Sequence, residues 1–196
     1  MPLGTNMLRL TNIAVNLSLP GLGSIQGTWG VDERQKNAAW ELYIELITRT
    51  TLAPRDQETG GLREALTSLH SLFATTRDIL KRYGPAVAKP KRGSTLSFAH
   101  LAVGVLNAAI RPVLSQWHPL LAEWESSKPS GTSSVEYERQ WSMHKELRQE
   151  LDAVQTTLLP YAELLAKAAG VPPIIEAPTD DTQAGKEQSG EKEDAS

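Results

Sequence analysis

The chain contains no cysteine, which excludes a disulfide framework and a zinc site built on thiolates. Net charge is almost lacking as well, −3 over 196 residues. Most of the negative excess sits at the C-terminal end. Residues 176–196 carry seven acids (Glu176, Asp180, Asp181, Glu187, Glu191, Glu193 and Asp194) against Lys186 and Lys192, a net of −5 that leaves the first 175 residues at +2. A body so close to neutrality speaks against bulk electrostatic binding to nucleic acid. No unbroken run of about 18 apolar residues occurs, so no membrane insertion is expected. The first 22 residues have one basic residue, Arg9, and leucines interrupted by Asn6, Asn12, Asn16 and Pro20; no export signal is expected from such a pattern, and a cytoplasmic protein is. Catalytic motifs are missing too. There is no Gly-x-Ser-x-Gly, no glycine-rich phosphate loop before a lysine and no dinucleotide fingerprint.

What the chain does have is helical spacing. From Tyr137 to Ala168 the residues Tyr137, Trp141, His144, Leu147, Leu151, Val154, Leu158, Tyr161, Leu165 and Ala168 recur in steps of three and four, which keeps them on one side of a long helix. Ser133 and Glu136 match a capping box at its start, Pro160 should bend it, and Gly170 with Pro172 and Pro173 should end it. A first helix is expected from Asp32, a good N-cap residue. It carries Trp40, Tyr43, Ile44, Ile47 and Thr51 on one face, with Leu42 and Leu46 on a second. A second helix is expected from Leu62 to Tyr83, stopped by Gly84-Pro85. A third runs over 95–125, with Pro112 and Pro119 predicting a kink or break near Arg111 and another near His118. The expected fold is all-α: a four-helix bundle over 31–175, its third helix kinked by proline. Residues 176–196, polar and without aromatics, should form a disordered acidic tail.

Residues 1–30 read differently. Ile13, Val15, Leu17 and Leu19 alternate with polar or small neighbours, the period of a half-buried strand, before Pro20 and a series of glycines. This segment is expected as a short hairpin or as an extended N-terminal arm, packed on the bundle. An arm donated to a partner is the alternative, because an alternating strand without a neighbour favours strand addition. Leu17, Leu19, Leu22 and Trp29 are its candidate partner-binding residues.

Candidate chemistry is thin. His70, His100, His118 and His144 never fall at a His-x-x-x-His or Glu-x-x-His spacing, so no metal and no cofactor is expected. The segment from Arg111 to Glu125 concentrates two tryptophans, two prolines, a histidine and an arginine. Such a segment can build a groove, with Arg111, Trp117, His118 and Trp124 as its partner-facing residues, although Trp117 and Trp124, seven apart, also suit a core. Lys81, Arg82, Lys89, Lys91 and Arg92 surround the loop after the second helix as an anion-binding candidate, or as a solvated face.

Trp40–Arg49, Leu62–Phe73 and Arg111–Glu125 together resemble small all-helical bacterial proteins of uncharacterised activity, over about residues 7–175. The resemblance implies no catalytic residue, cofactor or ligand. The expectation is a non-enzymatic interaction module, an adaptor or subunit of a larger bacterial assembly, whose partner is another protein or a second copy. The alternative is a helical-bundle sensor or enzyme for a small molecule or metal, with its site beside Trp117 and His118.

Overall fold

The computed structural model describes residues 11–19, 23–49 and 61–174. Leu22, the polar connection 50–60 and the acidic tail lie outside the described residues. Within them the chain is mostly helical, with one small two-stranded sheet.

The strand period at the N-terminus is real, and of the two expected forms, hairpin and extended arm, the segment takes the hairpin. β1 (Thr11–Leu19) pairs antiparallel with β2 (Gly23–Val31), from Leu19 opposite Gly23 to Thr11 opposite Val31. Glycines read as punctuation are therefore part of a strand. They are there for clearance. A Cβ on Gly27 would strike Thr95 and Leu96, and one on Gly30 would come within 2.9 Å of Lys91 Cβ. That clearance lets the 91–96 loop cross β2, where the carbonyl of Thr28 accepts from the amides of Thr95 and Leu96 at 2.9 and 3.0 Å. Ile13, Val15, Leu17, Trp29 and Val31 join the same hydrophobic core as the helices.

α1 (Glu33–Ile47) begins as its sequence predicts. The side chain of Asp32 accepts from the amide of Gln35 at 2.9 Å and satisfies one of the first-turn donors. Its buried face is Ala38, Ala39, Leu42, Tyr43 and Leu46; of the stripe through Trp40, Tyr43 is buried and Ile44 and Ile47 are partly so. Trp40 is 39% exposed. α2 (Leu62–Tyr83) ends at Gly84, whose φ of +66° is open to glycine at little cost.

The third helical stretch shows what proline does and does not do. It is continuous from Phe98 to Ser126, but α3 (Phe98–Val105) passes through a single π-helical turn, Leu106–Ile110, into α4 (Arg111–Ser126). Pro112 has no amide to donate and its ring crowds the preceding turn, so the wider π turn takes up the mismatch immediately before it. Pro119 lies inside α4 and does not interrupt it, so the break expected near His118 is absent.

The fourth stretch departs further from the sequence reading. The stripe from Tyr137 is split between α5 (Ser134–Arg139) and α6 (His144–Ala169), with Trp141 in the connection. Ser133 makes no side-chain cap bond and Glu136 is exposed, so the capping box is not formed. α6 runs through Pro160 to a left-handed Gly170, φ +72°. It packs along α1 and against β1, while α2 lies on α1 and α4.

Candidate functional site

The residues expected to meet a partner are, for the most part, committed to the fold. Leu17 and Leu19 are buried beneath the hairpin. Trp29 is fully buried, and its indole N–H donates to Gln35 Oε1 at 2.5 Å. The same oxygen accepts from the amide of Phe98 at 2.8 Å, which ties β2, α1 and α3 together. Trp117 is 1% exposed and lies edge-on to Trp141, ring centroids 6.0 Å apart. Trp124 stacks on Tyr137 at 4.5 Å and donates to the Tyr137 carbonyl. Arg111 is exposed, but its guanidinium sits over Phe73 and its Nε donates to Asn107. As a partner-binding set, Leu17, Leu19, Trp29 and Trp117 are corrected to core. An aromatic body gains more from burial in its own domain than from waiting for a partner.

The histidine candidate belongs to a dense cluster of titratable groups where α2 begins. Arg63 holds Glu125 with both Nε and Nη2, the latter at 2.6 Å, and its Nη1 lies 3.4 Å from His118 Nδ1. His70 and His118 face each other with ring centres 5.9 Å apart. Glu138, buried on α5, accepts from the amide of Leu62 and so caps α2 from a distant part of the chain. Burial pushes the Glu138 carboxyl upward in pKa, against the amides of Leu62 and Arg63 that favour its charge. Burial lowers the pKa of His118, and the Arg63 guanidinium adds to the effect; His144 is lowered by burial and by Arg148. Within this cluster Arg63 answers Glu125, and Glu138 answers the amides that open α2. No set of three metal-ligating side chains occurs among the described residues.

The basic cluster is also divided. Lys91 pairs with Asp32 and Arg82 with Glu41, whereas Lys81, Lys89 and Arg92 are exposed. Burial alone would raise the pKa of Asp32, but the hydrogen bond from Lys91 and the Gln35 amide bring it below the usual value. Lys91 and Arg82 are thus partners of the protein's own carboxylates rather than an open anion site.

An accessible recess lies between α1 and α2. It is a cleft of about 400 Å³ lined by Trp40, Glu41, Ile44 and Glu45 from α1 and by Thr75, Asp78, Ile79 and Arg82 from α2. Helical spacing explains both sets. Steps of four on α1 and of three and four on α2 bring one stripe of each helix face to face. Ile44 and Ile79 are the apolar lining, and Trp40 stands half-exposed at the rim, 6.0 Å from Tyr43. Glu41 accepts from the Tyr83 hydroxyl at 2.6 Å and from Arg82. Burial, then the Glu41 carboxylate, push the Tyr83 hydroxyl up to about 12. Glu45 accepts from Arg49 Nη2 at 2.6 Å, and the same nitrogen donates to Thr75. Asp78 is exposed and its carboxylate has no hydrogen-bond or ion-pair partner among the described residues. Of this cleft, the sequence marks Arg82 in the basic cluster and sets Trp40 and Ile44 on one apolar face of α1. The signal that marks the site, Trp40-Glu41 followed at four residues by Ile44-Glu45, is common on exposed helix surfaces.

Phe98–Ser126 is long and apolar enough, by length and composition, to cross a membrane. Its residues Leu101, Val105, Ile110, Trp117 and Leu121 are buried against the other elements, as in any core helix. Comparison with known proteins finds no family model, no curated protein and no solved structure that matches this chain.

Proposed function

We propose that α1, α2, the 98–126 helical run and α6 act as a four-helix bundle that serves as a non-enzymatic interaction module. It works as an adaptor or subunit, with the α1–α2 cleft as its docking face. The supporting observation is the position of Trp40, 39% exposed over a cleft of about 400 Å³ while the other large aromatics are packed or stacked. A half-exposed tryptophan beside a recess is the residue type that anchors protein interfaces. The titratable cluster around His118 supports structure instead, since its charges are matched from within the chain.

The test is mild purification of the tagged full-length chain from its native host, in parallel with Trp40→Ala. A stoichiometric polypeptide retained by the parent and lost with Trp40→Ala, at unchanged helical circular dichroism, upholds the reading. Retention by both proteins, or by neither, sinks it.

A further inference from the structure

The cleft carries charge that the fold leaves unmatched. Glu41, Glu45 and Asp78 line it; Arg82 pairs with Glu41 and the neighbouring Arg49 with Glu45, so one carboxylate, Asp78, is left unmatched. We infer that the α1–α2 cleft receives an arginine side chain from the partner, its guanidinium lying against Trp40 and bonding to Asp78; the inference rests on the interaction reading above. Each part of the recess suits that group. Trp40 offers an indole face, the best aromatic surface for a cation. Asp78 offers a carboxylate with both oxygens open to a planar fork of donors. Ile44 and Ile79 provide an apolar lining for the arginine methylenes.

The chain already makes the same kind of contact from within. Arg82 bonds to Glu41 at the edge of the cleft, but its side chain is 61% exposed. An ion pair so exposed is weak and easily exchanged. Arg82 also places a positive charge at the cleft that opposes an incoming cation, so removing it should tighten binding. A solvated acidic face without a site attracts lysine and arginine probes alike and gives no saturable shift.

The experiment uses the full chain labelled with ¹⁵N and the tripeptide amide acetyl-Gly-Arg-Gly, with lysine and norleucine versions as controls. The Trp40 indole resonance, identified from its loss in Trp40→Phe, reports the cleft. The arginine peptide should shift it saturably, and the lysine peptide should bind about threefold more weakly. The norleucine peptide should give no saturable shift. Asp78→Asn should weaken the arginine peptide about threefold, and Arg82→Gln should tighten it by a similar factor. No saturable shift with the arginine peptide, an equal response to norleucine, or affinity unchanged in both variants overturns the inference. The two readings fail separately. A host protein lost with Trp40→Ala yet retained by Asp78→Asn leaves the interaction module standing and removes the arginine site. Peptide binding as expected, without any Trp40-dependent host protein, keeps the cation site and removes the interaction module.

Discussion

Two ends of α2 put charged and aromatic residues to opposite uses. At its N-terminal end Arg63, Glu125, His118 and Glu138 are joined by hydrogen bonds, next to a Trp117–Trp141 contact that is buried. Towards its C-terminal end Asp78 and Arg82 line an open cleft with the half-exposed Trp40. The first region has the denser chemistry and the second has the room. A polar group already satisfied inside the fold has little left to offer a ligand, whereas an unmatched carboxylate beside an accessible ring has most of its interaction energy still to give.

The largest effect that would sharpen this comparison separates two tryptophans. Trp117→Ala should cost about 3–5 kcal/mol of stability, because it opens a cavity in a packed core. Trp40→Ala should cost about 1 kcal/mol or less, since much of the ring is already in water. Urea unfolding of both variants measures the difference; equal losses would show that the cleft is core and end the comparison.

A smaller effect is expected for the carboxylates. Glu138→Ala leaves first-turn amides of α2 without their acceptor and should cost about 1–2 kcal/mol. Asp78→Ala, on the same helix but unpaired, should stay within about 0.5 kcal/mol of the parent. A loss for Asp78→Ala as large as that for Glu138→Ala would mean that Asp78 has a structural role in the fold.

The smallest effect is a pH dependence confined to the first region. His118 and His144 have folded pKa values below the ordinary histidine value, so the unfolded chain binds protons more readily than the folded one. Their contribution to stability is present above the unfolded value and is lost as pH falls from there through the folded one. Glu138 works in the other direction. Its folded pKa is raised, so its contribution is present at low pH and lost as pH rises through that folded value. Between about pH 7 and pH 5 the two histidines should therefore lower the urea midpoint on acidification, and the double variant His118→Gln, His144→Gln should lack that contribution. An unchanged pH profile in the double variant would remove both histidines as its cause.

Much of the helical body is legible from spacing alone. Asp32 as a cap, Leu62 to Tyr83 as a helix and Gly170 as a terminator follow from local rules, because backbone donors, glycine torsions and apolar periodicity act within a few residues. The alternation of Ile13, Val15, Leu17 and Leu19 likewise predicts a strand and which of its faces is apolar. The failures have a common cause. Gly27 and Gly30 look like breakers until the 91–96 loop is seen to cross them. Ser133 and Glu136 look like a capping box, yet the helix started there stops at Arg139 and Glu138 caps another helix entirely. For the candidate site the sequence offered still less, since neither Trp40 nor Asp78 differs locally from an ordinary helix residue.

By itself, then, the sequence determined where most helices begin and end, which strand residues face inward, and that no thiolate chemistry exists. Tertiary structure alone decided which residues pair across β1 and β2, that Pro112 is accommodated by a π turn and that Trp117 is core while Trp40 is not. It also decided that an acidic cleft opens between α1 and α2. The reason is one of range. Caps, turns and periodicity are written in contacts a few residues apart, whereas burial and charge matching depend on residues such as Leu62 and Glu138, which lie 76 positions apart and meet only once the chain is folded.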